Sequence, residues 1–254
     1  MGYYIDDLGL EYPDLGGDRK QPHNLTLNRE CGRANEIIRA FNFAPNVHRQ
    51  MLNYVEDAGI YAEQGIVYPN NMLWKGGKPY FDGATASAVE ICNAHNIRER
   101  DNRNLFTFAC TINPETVGVF QTILSADTRH VQIIVGTDDG IRIIRESQLV
   151  LLTGTANTVK LNRDSRVVYV FDANRTIDGV NRHFVYVNGI PAGTSTTVAG
   201  YSWFESSVFR IGAKSNNGSI FHGTIDNVVW SGGAWTPAQI LADARNPTAI
   251  YKTI

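Results

Sequence analysis

The chain has 254 residues, of which 43% are hydrophobic and 19% are charged, and its formal net charge is −2. This composition is typical of a globular protein and excludes a disordered chain. The near-neutral charge and the lack of a basic stripe predict no binding to nucleic acid. No run of roughly eighteen apolar residues occurs, so no membrane insertion is expected.

The cysteines and the first residues indicate a reducing compartment. Residues 1–15 lack the basic start and the apolar core of a secretory signal. Cys31, Cys92 and Cys110 cannot all pair with one another, and none has the spacing of a metal ligand. Free thiols are therefore favoured, and a Cys92–Cys110 bridge between neighbouring strands is the alternative.

Residues 1–60 show loose turns and short helical patterns. Residues 1–30 predict an extended, irregular arm, because turn signals such as Gly16-Gly17 interrupt every hydrophobic period. Residues 34–59 predict two short amphipathic helices. Helices this short need burial against another surface, so residues 1–60 are predicted to anchor the protein in an assembly. The apolar positions are Ile37, Ile38 and Phe41 in the first helix and Val47, Met51, Tyr54 and Val55 in the second.

From Gly65 onward the sequence has strand character. Hairpin dipeptides such as Asp139-Gly140 and Asn188-Gly189 separate the apolar runs, and no alternation of strands with helices occurs. This pattern predicts an antiparallel sandwich of two sheets. The predicted strands are Leu105–Ile112, Val119–Ser125, His130–Val135, Ile141–Arg145, Gln148–Thr153, Thr158–Leu161, Arg166–Phe171, Arg182–Asn188, Ser206–Ile211 and Ile220–Trp230.

Apolar residues occupy both faces of some predicted strands. Val167, Tyr169 and Phe171 alternate with Val168 and Val170. Such a strand is expected to be central, with one face in the core and the other covered or unusually sticky.

A short capped helix is predicted over Thr236–Arg245. Thr236 is the expected cap and Pro237 the first helical residue, where its missing N–H costs nothing. Ile240 and Leu241 are expected to be buried.

Several motifs in the second half of the chain carry a resemblance to a known family. Phe81-Asp82-Gly83 precedes the first long strand, and Phe209-Arg210-Ile211-Gly212 and Gly223-Thr224-Ile225-Asp226 follow in order. Together with the closing helix they resemble the laminin-G-like, concanavalin A-like lectin–glucanase jelly roll. The resemblance covers about residues 65–246 and implies an all-β, two-sheet antiparallel jelly-roll sandwich. The loose turns and short helical patterns of residues 1–60 add a mostly irregular, partly helical N-terminal extension. We assign residues 1–60 to the extension and residues 61–254 to the jelly roll.

Catalytic motifs are not evident. Jelly-roll glycosidases that resemble this family carry Glu-x-Asp-x-x-Glu on one strand, which places three carboxylates on one face. The nearest match is Glu99 and Asp101 followed by Asn104, so the third acid is missing, and the charged surroundings predict a loop. A serine, histidine and aspartate set assembled from distant positions stays open. We predict that the chain is not an enzyme.

No cofactor is predicted except calcium as a possibility. Carboxylate and amide oxygens on flexible loops suit this ion. The candidates are Asp138 and Asp139 in one loop, with Asp172 and Asn174 at the end of another strand. The alternative for Asp138-Asp139-Gly140 is an ordinary turn.

Aromatic residues supply the candidate carbohydrate site. Sugars stack their apolar C–H faces on exposed rings and bond amides through their hydroxyls. Tyr201, Trp203 and Phe204 concentrate three rings in a short loop, and Asn216 and Asn217 follow in the next loop. Packing of these rings in the core is the alternative.

The sequence favours binding or assembly as the function. Laminin-G-like modules without a signal peptide are common in bacteriophage virion proteins. The first hypothesis is therefore a non-enzymatic virion component, capsid-decorating or tail-associated, made in the host cytoplasm and forming a homo-oligomer or binding other virion subunits. The alternatives are a free-standing carbohydrate-binding lectin or adhesion module that binds cell-surface glycan, and a glycoside-active enzyme.

Overall fold

The computed structural model describes the core of the chain and short parts of its N-terminal region. The described residues are 3–5, 11–13, 25–27, 37–41, 66–67, 73–76, 78–83, 89–92, 105–126, 131–145, 149–172, 183–195, 208–214 and 219–253. Within this part no helix is long and apolar enough to cross a membrane.

Nineteen strands and one α-helix make up the regular structure of the described residues. The strands are β1 (Tyr3–Ile5), β2 (Glu11–Pro13), β3 (Leu25–Leu27), β4 (Ile37–Phe41), β5 (Ile66–Val67), β6 (Leu73–Lys75), β7 (Lys78–Asp82), β8 (Val89–Cys92), β9 (Leu105–Pro114), β10 (Gln121–Ala126), β11 (Gln132–Val135), β12 (Ile141–Arg145), β13 (Leu149–Thr153), β14 (Ser165–Asp172), β15 (His183–Val187), β16 (Ile190–Thr194), β17 (Val208–Ile211), β18 (His222–Ser231) and β19 (Tyr251–Thr253). Helix α1 covers Pro237–Arg245 and is followed by a 3-10 turn at Pro247–Ile250.

Two antiparallel sheets form the sandwich. One has seven strands in the order β13-β12-β11-β10-β17-β8-β5. The other has eight strands, in the order β16-β15-β14-β9-β18-β7-β6, with β4 also paired to β18. Two small ladders, β1 with β2 and β3 with β19, belong to neither large sheet. The predicted jelly-roll sandwich is confirmed.

The core lies between the two sheets and follows the alternation of each strand. Val167, Tyr169 and Phe171 of β14 face this core. Val168 and Val170 point the other way and are also buried, at no more than 1% exposure. The expected central strand with two apolar faces is therefore confirmed, and its outer face is covered.

Two motifs that carried the family resemblance contact each other in the core. Gly212 has φ +86°, a conformation that favours glycine. A β-carbon at this position would overlap the ring of Phe81, which is 1% exposed. The Phe-Asp-Gly segment thus needs a glycine after β17 for its aromatic ring to enter the core.

Helix α1 begins and packs as its sequence indicates. Thr236 accepts a hydrogen bond from the Gln239 amide and Pro237 is the first helical residue, so the predicted cap is confirmed. Ile240 is fully buried, but Leu241 is 39% exposed, so the predicted burial of Leu241 is wrong. Asp243, also fully buried, occupies the helix face that meets the sheet.

Two predicted elements differ from the observed ones. Residues Ile37–Phe41 form strand β4 and not a helix, because their backbone pairs with Val228–Ser231 of β18. The run 158–161, predicted as a strand, is turn and coil between positive-φ residues Asn157 and Asn162. Val47, Met51, Tyr54 and Val55 of the second predicted helix lie outside the described residues.

Candidate functional site

Polar side chains gather on the outer face of the eight-stranded sheet, at one end. Tyr80 of β7 lies opposite Thr224 of β18, and Thr224 lies opposite Asn113 of β9. Each neighbours a core residue along its strand, so alternation turns all three away from the core. The Asn113 amide donates to Asp164 Oδ1 at 2.8 Å, which extends the row to the residue before β14.

Tyr80, Glu115 and His222 form the centre of this face. The Tyr80 hydroxyl donates to Glu115 Oε2 at 3.1 Å and lies 3.1 Å from His222 Nε2. The Thr116 hydroxyl lies 2.6 Å from His222 Nδ1. Because the Tyr80 hydroxyl directs its hydrogen at Glu115, its oxygen is left to accept a hydrogen bond from His222 Nε2–H. His222 Nδ1 then accepts from the Thr116 hydroxyl. The two imidazole nitrogens are thereby held in a defined orientation.

Backbone hydrogen bonds fix the segment that supplies Glu115 and Thr116. The Glu115 amide donates to the His222 carbonyl, and the His222 amide donates to Gln121 Oε1, each at 2.8 Å. Gln121 is 1% exposed and its side-chain amide donates back to the Thr116 carbonyl. The loop after β9 is therefore attached to the first residue of β18.

Two ion pairs border the centre. Lys75 Nζ pairs with Glu115 Oε1, and Lys78 Nζ lies 3.3 Å from Asp164 Oδ2. Lys75 Nζ also lies 5.4 Å from the centroid of the Tyr80 ring. We call this face the Tyr80 surface. Its members are Lys75, Lys78, Tyr80, Asn113, Glu115, Asp164 and His222.

The proton affinities at this surface follow from those contacts. The hydrogen bond from Lys75 lowers the pKa of Glu115, and the bond from Tyr80 adds to this effect. Partial burial raises the pKa of Tyr80, and its bond to Glu115 raises it further. Glu115 therefore stays ionised and Tyr80 keeps its proton at neutral pH.

The Tyr80 surface is open to solvent in part. The side chains of His222 and Glu115 are 33% and 22% exposed, and that of Lys75 is 61% exposed. The rings of Tyr80 and His222 lie edge to face with centroids 6.1 Å apart. Rings beside carboxylate, amide and ammonium groups can stack on an apolar ligand face and bond its hydroxyls.

Another exposed aromatic residue lies at the end of the loop that follows β9, just before β10. Phe120 is 45% exposed, and the guanidinium carbon of Arg142 lies 5.4 Å from its ring centroid. Arg142 also pairs with Asp138 at 3.2 Å. Burial opposes ionisation of Asp138, but the bonds from Arg142 and the Gly140 amide outweigh it and lower its pKa.

The residues predicted for calcium serve a turn where they are described. Asp139 has φ +58° and its Oδ1 accepts from the Gly118 amide at 2.8 Å, while Asp138 bonds Arg142. Asp172 is partly exposed at the end of β14, and Asn174 lies outside the described residues. No group of three or more histidine, cysteine, aspartate or glutamate residues in the described part could hold a metal ion. Calcium binding stays a prediction.

The predicted sugar-binding and catalytic candidates cannot be placed. Tyr201, Trp203, Phe204, Asn216 and Asn217 lie outside the described residues, as do Glu99, Asp101 and Asn104. The Tyr80 surface was missed because its residues come from separate segments. Tyr80 and His222 adjoin the Phe-Asp-Gly and Gly-x-Ile-Asp motifs, and that adjacency was the available signal.

The laminin G family model, described as the concanavalin A-like lectin/glucanases superfamily, matches residues 78–241. The chain belongs to this superfamily. The resemblance inferred from the sequence is therefore confirmed, and the matched residues begin and end within the sandwich and its closing helix. No curated protein sequence matches the chain.

Solved structures of the superfamily fold include both enzymes and binding domains. A Trypanosoma rangeli sialidase with 2,3-difluorosialic acid as a covalent intermediate is 15% identical, with a TM-score of 0.62 over 85% of this chain and 34% of that one. A mutant of that sialidase displaying trans-sialidase activity has a TM-score of 0.61, again at 15% identity, 85% and 34%. A receptor binding domain is 11% identical, with a TM-score of 0.59 over 84% of this chain and 51% of that one.

The likeness at these identities shows the fold alone, and the chain spans about a third of the sialidase and about half of the receptor binding domain. It nevertheless corrects one inference. The prediction that the chain is not an enzyme is wrong as a conclusion from missing motifs, because sialidases contain this fold. A superfamily fold does not by itself separate enzymes from binding domains.

Proposed function

We propose that this domain binds carbohydrate through the Tyr80 surface. The observation that carries the proposal is the Tyr80–Glu115–His222 group, in which two partly exposed rings adjoin ionised and amide groups on an open sheet face. The superfamily, whose description names lectins and glucanases, supports the same class of ligand.

The geometry provides a rigid platform. Hydrogen bonds hold the Glu115 carboxylate, the His222 ring and the Tyr80 hydroxyl before any ligand arrives. Binding a sugar then orders few further side chains, which lowers the entropic cost of association. Sugar C–H groups would contact the Tyr80 ring, and sugar hydroxyls would bond Asn113 and the free lone pairs of Glu115 and Asp164.

A glycan array tests the proposal. The unmodified chain is expected to bind a defined subset of glycans, and Tyr80→Ala is expected to lose at least about tenfold in affinity because it removes the stacking ring. Phe120→Ala is the matched control, since it removes an exposed ring outside the Tyr80 surface. Equal losses in the two variants, or no loss in Tyr80→Ala, would contradict the assignment. Circular dichroism checks that both variants fold.

A finer proposal concerns attachment to an assembly such as a bacteriophage virion. Its support is the sequence pattern of residues 1–60, together with the β1–β2 ladder, which belongs to neither large sheet. Deleting residues 1–30 is expected to abolish homo-oligomers or binding to other subunits while glycan binding persists. Light scattering after size exclusion measures the first effect, and normal assembly of the truncated chain would refute the role.

A further inference from the structure

The two lysines of the Tyr80 surface are already neutralised by carboxylates. Lys75 pairs with Glu115, and Lys78 pairs with Asp164 at 3.3 Å. These two positive and two negative side chains sum to zero, and Asp82, opposite His222 on the same face of β7, adds a further negative charge. Neither ammonium group is left to face a ligand anion alone.

Both carboxylates are also held by a second donor. Tyr80 donates to the second oxygen of Glu115, and the Asn113 amide donates to the second oxygen of Asp164. An acidic sugar that bound Lys75 or Lys78 would share the ammonium group with the carboxylate already there, or displace that carboxylate. In either case the ligand carboxylate would face a like charge at close range, which disfavours the complex.

A neutral sugar meets no such obstacle. Each carboxylate oxygen has two acceptor positions, so an oxygen bonded to one protein donor can still accept from a sugar hydroxyl. Asn113 offers a second amide hydrogen. The ion pairs would remain intact while the hydroxyls add further bonds.

From this pairing we infer that the Tyr80 surface selects uncharged glycans over those that end in sialic acid or another acidic sugar. The inference rests on the proposed function. It distinguishes the glycans expected for this domain from the sialic acid ligands of the sialidases that share its fold. A sialylated glycan binds several-fold more weakly than the same glycan without its sialic acid.

The experiment compares matched glycans, each printed with and without terminal sialic acid, at pH 7 and moderate ionic strength. The full chain is tested beside Asp164→Asn and Glu115→Gln, which release Lys78 and Lys75 from their carboxylates. Both variants are expected to shift the preference toward the sialylated member of each pair. Phe120→Ala is the control, since it changes an exposed ring outside the Tyr80 surface and keeps both ion pairs and their second donors.

The outcomes separate the two proposals. Preference of the full chain for the sialylated members would overturn the inference while leaving glycan binding in place. If the variant Arg163→Gln then lost this preference for sialylated glycans, the preference would come from the exposed arginine beside Asp164. That result would also overturn the inference. Absence of binding to every glycan would instead refute the proposed function itself.

Discussion

Arg166 and Asp243 form a buried ion pair between the sheet and helix α1. The Arg166 guanidinium donates to both carboxylate oxygens, at 2.6 and 3.3 Å, and also to the Asn227 carbonyl at 2.6 Å. The side chains are 3% and 0% exposed. This pair fixes the helix against the outer face of β14.

Removing one partner of this pair leaves the other charge buried without its counter-charge. Asp243→Ala is expected to lower the free energy of unfolding by about 3–5 kcal/mol, because the buried Arg166 loses its counter-charge. Urea unfolding followed by circular dichroism measures the change. The double variant Arg166→Met with Asp243→Leu is expected to recover much of the loss. A single variant as stable as the original chain would contradict the role given to this pair.

Cys110 is a buried, free thiol on β9. Burial raises its pKa to about 12, so it stays protonated in the folded state. Its thiol is therefore expected to resist iodoacetamide at pH 8 and to react readily in guanidinium chloride, as peptide mass spectrometry can measure. Equal labelling in both states would contradict its burial.

The same thiol links stability to alkaline pH. Because its folded pKa is raised, its contribution to stability is present below the ordinary value of 9.0 and declines as the pH rises from there toward about 12.

Strand β4 shows how pairing decides an element that local pattern leaves open. The run Ile37–Phe41 is too short for periodicity to distinguish a helix from a strand. Its pairing with Val228–Ser231 of β18 gives the answer, and this partner lies nearly two hundred residues away along the chain. No local signal could have revealed it.

Truncations test the importance of β4. Deleting residues 1–60 removes β4 and leaves one side of Val228–Ser231 without its backbone partner. We expect this variant to melt at a lower temperature and to aggregate more than a variant lacking residues 1–30, which keeps β4. Thermal unfolding and size exclusion measure both effects. Equal melting temperatures would show that β4 contributes little.

Elements rich in β-branched residues were predicted closely, and those governed by turns were not. Strand β12 has the bounds that were predicted from sequence, Ile141–Arg145, because three of its five residues are isoleucines and a glycine precedes it. The run 158–161 failed because Asn157 and Asn162 adopt positive φ and bend the chain into turns. Helix α1 was recovered because its cap is a purely local signal.

At the scale of the molecule, the fold was accessible from sequence and the site was not. The ordered motifs indicated the superfamily, and the family match over residues 78–241 confirms it. The Tyr80 surface joins β6, β7, the end of β9 and the start of β18, so it exists only once the strand register is known. Its chemistry depends on which residues that register places side by side.

A crystal structure of the chain in complex with the glycan that it binds most tightly on the array tests carbohydrate binding at this surface most directly. We expect the sugar on the outer face of the eight-stranded sheet, in contact with the Tyr80 ring and within hydrogen-bond distance of Asn113 or Glu115. A sugar bound at Phe120 and Arg142, or in the segment of Tyr201 and Trp203, with the Tyr80 ring bare, would contradict it.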